Sequence, residues 1–348
     1  MQLPQFCKIA IVYLSIMEKP SGINIKLDLL SLFWYSEYSV SVRVLCFSSG
    51  ARVTHDVCRS SGSIFYPVRG NFSRVPSKLR RSEIMRLGFI GCGNMGGAMV
   101  SGILKNQLLS KEELIASALH EASRNALREK FGITVTDNNQ EVAAVSDVLV
   151  LAVKPQFYAE VIHEVREQVR PDTLVVSIAP GKTHQWLEEQ FDRPVKTIRC
   201  MPNTPSMIGA GITGIAPGEH VTEEETALIL RLLSSLGEAE VVPERLMDVV
   251  ASVSGCSPAY VFMFIEAMAD AAVADGMPRV QAYHFAAQAV LGSAEMVLKT
   301  GKHPGELKDM VCSPGGTTIE GLSVLEEKGM RSAVIEALRA CTRKSKGL

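Results

Sequence analysis

The stretch Arg86-Leu-Gly-Phe-Ile-Gly91-Cys-Gly93-Asn-Met-Gly96 decides the fold. Its first residues read as a short apolar strand, its glycines as a turn, and the apolar period that follows predicts a helix over 95–105. This is Gly-x-Gly-x-x-Gly in a strand–turn–helix setting, where each glycine has a separate task. Gly91 permits the tight turn, Gly93 lets backbone come close to a pyrophosphate, and Gly96 lets helix and strand pack closely. The helix start then offers free N–H groups and the positive end of its dipole to phosphate oxygens.

Downstream, further strands are predicted at 113–117, 147–153, 173–178 and 195–199, with a helix at 121–131. Uninterrupted Val/Ile/Leu runs between helices mark strands buried on both faces of a parallel sheet, here an α/β Rossmann domain. Ligands of such sheets lie at the carboxyl ends of the strands. Three segments fall there: Ala152-Val-Lys154-Pro155, Ser177-Ile-Ala-Pro-Gly181 and Cys200-Met-Pro-Asn203-Thr-Pro205. Each alone reads equally well as a proline-bearing turn. Three at one edge point to a site. After the second strand, the tip Ile115-Ala-Ser117-Ala-Leu-His120 lacks the carboxylate that holds the ribose 2′-OH in NAD enzymes. A hydroxyl, a histidine and nearby Arg124 suit a 2′-phosphate, so NADPH is favoured with NADH as the alternative; Glu121 is the local charge against it.

From Met247 onward the strand signal vanishes, and 12 alanines lie between Val249 and Val297. Pro258 reads as the first turn of a helix that stops at Asp275-Gly276. This helix is apolar nearly all round, so it is either the centre of its domain or shared with a second subunit. A half of about 100 residues has little material to surround it, which favours a homodimer. Further on, Leu307-Lys-Asp-Met-Val-Cys-Ser313-Pro-Gly315-Gly316-Thr317-Thr318 sets two glycines beside three hydroxyls. Ser313 and the backbone N–H groups of 316–318 form a carboxylate cradle at a helix start. The same residues also read as a capped turn between helices.

Working toward the other end, residues 1–84 carry 11 Lys+Arg against 5 Asp+Glu, whereas residues 85–348 carry 25 against 32. The leading stretch holds 10 of the 21 aromatics and shows no domain signature, so no clear fold is expected there. The preferred reading takes Met85 as the natural start and 1–84 as an extension, disordered or not native. An organelle transit peptide is the alternative, opposed by Glu18, Asp28, Glu37 and Asp56. Over all 348 residues the net charge is −1, which gives no global pull toward nucleic acid or an anionic membrane. No segment approaches the ~18 uninterrupted apolar residues of a membrane-spanning helix. The eight cysteines and seven histidines show neither a Cys-x-x-Cys pair nor metal-ligand spacing. No metal and no disulfide framework are expected, and the location expected is cytoplasmic.

The Gly-Cys-Gly-Asn-Met-Gly loop, Ala-Val-Lys-Pro, Met-Pro-Asn-Thr-Pro and above all Leu-Lys-Asp-Met-Val-Cys-Ser-Pro-Gly-Gly-Thr-Thr make residues 85–348 resemble the pyrroline-5-carboxylate reductases. The resemblance implies NADPH-dependent reduction of 1-pyrroline-5-carboxylate to L-proline. It implies a Rossmann NADPH-binding domain over 85–246 and an all-helical substrate and dimerisation domain over 247–348, assembling as a homodimer or a ring of dimers. Carried over by position, Ile90, Gly91, Cys92, Gly93, Asn94 and Met95, closed by Gly96, would hold the pyrophosphate. Ser117 would lie at the 2′-phosphate and Asn139 at the adenosine. Ala152, Val153, Lys154 and Pro155, with Cys200, Met201, Pro202 and Asn203, would lie at the ribose and nicotinamide. Ser313, Gly315, Gly316, Thr317 and Thr318 would hold the substrate, Thr318 as the catalytic hydroxyl. Glu244 would face the substrate amine, though by itself it reads equally as a solvated helix start.

Two other functions remain as rivals. β-Hydroxyacid dehydrogenases also join a glycine-rich Rossmann domain to helices, but they use a lysine in the central helix, and no Lys or Arg occurs between Ser257 and Ala274. A non-catalytic NADPH-binding scaffold would keep the glycine turn and use 313–318 only as a helix cap.

Overall fold

The computed structural model describes residues 10–15, 28–36, 39–48, 51–59 and 85–347. β1 (Ala10–Ser15), β2 (Asp28–Ser36), β3 (Ser39–Ser48) and β4 (Ala51–Arg59) pair antiparallel in that order, within a unit spanning Met1–Arg80. The remainder of 1–84, and with it the expectation of a disordered or non-native extension, lies outside the described residues.

Arg81–Leu348 forms the second unit. Its strands are β5 (Leu87–Ile90), β6 (Leu114–Ser117), β7 (Thr134–Thr136), β8 (Val148–Leu151), β9 (Leu174–Ser177), β10 (Lys196–Met201), β11 (Gly211–Pro217) and β12 (Gly237–Val241). The sheet order is β12-β11-β10-β9-β8-β5-β6-β7. All neighbours are parallel except β10 and β11. From β5 the chain builds outward first through β6 and β7, then on the other side through β8, β9 and β10, so the switch point lies between β5 and β8. Between strands run α1 (Asn94–Lys105), α2 (Glu121–Phe131), α3 (Asn139–Val145), α4 (Tyr158–Val165), α5 (His184–Phe191) and α6 (Glu223–Leu233).

Alternate strand residues face opposite layers, as the strand period of two requires. Leu87, Phe89, Val148, Val150 and Val176 pack with Met99, Ile103, Leu127 and Leu232 of α1, α2 and α6. Ile90, Leu149, Leu151 and Val175 pack with Val142, Ile162 and Leu187 of α3, α4 and α5. Gly88 in β5 is a packing glycine, since a Cβ there would stand 1.9 Å from Ser146 Oγ.

α7 (Met247–Val250) runs through a π-helical turn, Ala251–Cys256, into α8 (Ser257–Ala274). The expected division at 246/247 falls at the start of α7, but α7 and the π turn seat on the sheet through a small shared core of Met201, Ala216, Met247 and Ala251. α9 (Arg279–Thr300) pairs with α8; α10 (Pro304–Val311) packs on α9, and α11 (Thr317–Glu327) on α12 (Met330–Ser345). α12 returns to α7 and the π turn: Thr342 Oγ1 donates to Ser252 Oγ at 2.9 Å in the π turn, and Ser345 Oγ to Asp248 Oδ1 at 2.5 Å in α7.

Within one chain α8 buries only Ala269, while Phe262 (58%), Met263 (65%) and, on α9, Phe285 (66%) are exposed. By length and composition the helical run Glu244–Ala274 is long and apolar enough to cross a membrane, although Glu266 and Asp270 keep it from being an uninterrupted apolar stretch. The all-round apolar character has the same origin in either case: this surface is built to be covered.

Candidate active site

The glycine turn lies at the switch point. Gly91 has φ +78°, and a Cβ there would stand 2.5 Å from Val153 Cγ1. At Gly96 a Cβ would meet Gly91 O at 3.2 Å and Ala152 Cβ at 3.5 Å. Gly93 differs: its φ of −77° and ψ of −151° suit any residue, and a Cβ would meet nothing within 4 Å. The protein itself therefore requires the first glycine, packs tightly at the third and has room at the second, which leaves an approach open for a ligand. α1 starts on Gly93 with no side-chain cap and no acid in its first turn. Its unpaired N–H groups suit an anion, so this edge fits a dinucleotide pyrophosphate.

Gly93, Asn94 and Lys154 are exposed, and Gly91, Met95, Asn139, Ala152, Val153 and Pro155 are half-buried around the same edge. The side chains of Ile90, Cys92, Ser117, Cys200, Met201 and Pro202 are buried, leaving their backbone to face a ligand. Burial pushes the Cys92 thiol up to about 12 and raises that of Cys200 as well, so both act as small apolar fillers.

Five residues expected at ligands have partners within the protein. The Ser117 hydroxyl, 1% exposed, donates to Asn139 Oδ1 at 2.7 Å, and Asn139 Nδ2 donates to Glu164 at 2.8 Å. A phosphate contact by Ser117 would have to compete with that bond. The tip after it is held by Arg124, which donates to the carbonyls of Ala118 and Leu119 at 3.0 and 2.8 Å. The Asn203 amide is used at both ends, donating to Ser254 O at 3.1 Å and accepting from Ile212 N at 3.1 Å. It ties β10 and β11 to the π turn. Glu244, expected near a substrate amine, accepts instead from Arg199 at 2.9 Å and from His184 N at 2.8 Å. Arg199 is a buried cation within β10, so this carboxylate neutralises it and caps α5. Burial raises the Glu244 carboxyl, but the His184 N–H and the Arg199 guanidinium outweigh it and hold it below its ordinary value.

In the carboxy-terminal loop, Gly315 has φ +65°, and a Cβ at Gly316 would stand 2.3 Å from Ser313 Oγ. α11 begins on Gly316 without a side-chain cap, leaving first-turn N–H groups beside Thr317 and Thr318. Both glycines and the free helix start agree with the expected anion cradle. Among the described residues, however, no hydrogen bond of 304–327 reaches the sheet.

Tyr158, absent from the expected site, is fully buried at the same sheet edge. Its hydroxyl donates to Leu151 O and accepts from Ile178 N at 3.2 Å. No local pattern marks it, because its partners belong to two different strands.

Two family models match the chain: "NADP oxidoreductase coenzyme F420-dependent" over residues 86–181 and "Pyrroline-5-carboxylate reductase dimerisation" over 244–348. Pyrroline-5-carboxylate reductase of Escherichia coli (strain K12) is 52% identical over 263 residues, covering 76% of this chain and 98% of that protein. The soybean (Glycine max) reductase is 39% identical over 267 residues, covering 77% of this chain and 97% of its own. Among solved structures, Plasmodium falciparum pyrroline carboxylate reductase with NADP bound superposes with a TM-score of 0.70 at 32% identity, over 76% of this chain and 97% of that one.

Proposed function

The chain belongs to the pyrroline-5-carboxylate reductase family, and from that premise we infer that it reduces 1-pyrroline-5-carboxylate to L-proline with NADPH, the last step of proline biosynthesis. The observation that carries this reading is the end-to-end likeness to the bacterial reductase, which takes in both the glycine turn and the Ser313–Thr318 loop.

When bound, NADPH supplies a hydride from C4 of its nicotinamide to the carbon of the C=N bond. The amides of 91–95 and the start of α1 hold its pyrophosphate, the 117–124 tip its 2′-phosphate end, and the backbone of 152–155 and 200–203 its ribose and nicotinamide end. Ser313 and the N–H groups of 316–318 hold the substrate carboxylate, and the Thr318 hydroxyl hydrogen-bonds the ring nitrogen. A protonated cyclic imine is already a strong electrophile, so these residues contribute mainly by positioning and no strong general acid is needed.

The exposed apolar faces of α8 and α9 are covered by a second copy, and that assembly brings the 313–318 loop to a glycine turn. Assembly of dimers into rings and a cytoplasmic location belong to the same proposal. The free thiols of Cys92, Cys200, Cys256, Cys312 and Cys341 agree with a reducing compartment. The test is loss of NADPH absorbance with 1-pyrroline-5-carboxylate as the sole acceptor. Oxidation with one proline formed per NADPH is expected; NADPH binding without oxidation would leave the scaffold reading.

A further inference from the structure

We propose that Tyr158 is a positioning residue for the nicotinamide end of the cofactor, its hydroxyl standing in for the last rung of the ladder between β8 and β9. The inference rests on the NADPH-binding reading above. In the β8–β9 ladder, Leu174 N donates to Asp147 O at 2.9 Å, and the pairing runs in register from Val148–Leu174 to Leu151–Ser177. Parallel ladders repeat every two residues, so the next bonds in this series join 176 to 149 and then 178 to 151. At that last position the bond is bridged: Ile178 N donates to Tyr158 Oη, which donates on to Leu151 O.

The hydroxyl thus acts as a wedge where the two strands part, and it satisfies both backbone groups that the parting would leave buried and unpaired. Tyr158 sits at the start of α4, just past the turn at Pro155, so the same hydroxyl closes the neck of the 152–157 loop. It therefore fixes two loops together, 152–155 and 178–181, at the edge assigned to ribose and nicotinamide. The ring is fully buried among Leu149, Leu151, Ile162 and Val175, so its position is set by packing. Burial pushes the phenol up to about 12, which keeps it a neutral donor.

The test is Tyr158→Phe, which keeps the buried ring and removes the bridge. Thr173→Val serves as the control: Thr173 is buried next to the other end of β9, where its hydroxyl donates to Ser146 O at 3.1 Å. NADPH affinity is read by fluorescence titration without substrate, alongside thermal midpoints and steady-state kinetics. Both variants are expected to lower the midpoint, but only Tyr158→Phe weakens NADPH, by about tenfold, the scale of one lost buried hydrogen bond. Turnover at saturating NADPH should fall as well, because the nicotinamide is held less firmly over the C=N carbon, while KM for the imine changes little. Wild-type affinity in Tyr158→Phe, or equal weakening in Thr173→Val, overturns the proposal. Should Tyr158→Phe fail to fold, hydrogen exchange at the Ile178 amide of the wild-type protein decides. Protection that increases with NADPH supports the bridge, and fast exchange in both states sinks it. A wild-type protein that binds NADPH without reducing the imine removes the proposed activity and leaves this affinity test intact.

Discussion

Replacing Gly93 with alanine separates what the glycine turn does for the fold from what it does for a ligand. The backbone at Gly93 is one alanine adopts freely, and the added methyl meets no protein atom within 4 Å. Reduced freedom of the unfolded chain favours the variant by about 0.4–1 kcal/mol, and alanine's poorer fit at a helix N-cap costs about as much. The two nearly cancel, so the thermal midpoint should move by no more than ~2 °C. The methyl does, however, stand before the free N–H groups of α1, so NADPH should bind at least about tenfold more weakly. Gly91→Ala gives the opposite contrast. At φ +78° with a Cβ 2.5 Å from Val153 Cγ1, left-handed backbone and overlap together cost roughly 2–5 kcal/mol. Calorimetry and fluorescence titration of both variants read the two effects separately. Gly93→Ala that binds NADPH like the wild type, or that loses as much stability as Gly91→Ala, refutes the division of roles.

Thr318→Ala should lower turnover with NADPH affinity nearly intact; unchanged steady-state rates remove Thr318 from the mechanism. Glu244→Gln leaves the buried Arg199 without its counter-charge and should cost about 2 kcal/mol by chemical denaturation, held down because the carboxylate is 38% exposed. In the wild type, burial lowers His184 below its ordinary 6.5, so stability falls as pH drops below that value, and the lowered Glu244 adds a second loss below 4.5. Urea titrations across pH should show both steps, with the lower one reduced in Glu244→Gln and its remainder left by Glu225, where burial is outweighed by Lys196, which holds that carboxyl below its ordinary value. Phe285→Glu, at an exposed apolar position on α9, should shift the protein to a monomer in light scattering and abolish reduction; an active dimer would place the interface elsewhere.

The sheet was legible where its strands are buried on both faces, because such strands need apolar runs and β5, β8 and β9 consist of little else. β12, Gly-Glu-Ala-Glu-Val, is an edge strand with two outward carboxylates, and β7 spans three residues; neither carries a run to read. The packing tasks of Gly91 and Gly96 were legible because each is local to one turn. Partnerships across long sequence separations were not. Asn203 looks like part of a proline turn, yet its amide holds the π turn 51 residues away, and Glu244 looks like a helix start, yet it answers Arg199 45 residues back. Arg199 did leave a signal, since a cation inside a buried strand demands an acid. Tyr158 left none, because a splayed ladder has no sequence pattern.

The measurement that bears most directly on the account is deuterium transfer from NADPH carrying deuterium at both positions of nicotinamide C4, with 1-pyrroline-5-carboxylate as acceptor and the proline examined by mass spectrometry. One label at the ring carbon beside nitrogen, on the side away from the carboxylate, is expected for direct delivery between the two rings. Proline formed without that label, or no proline at all, contradicts it.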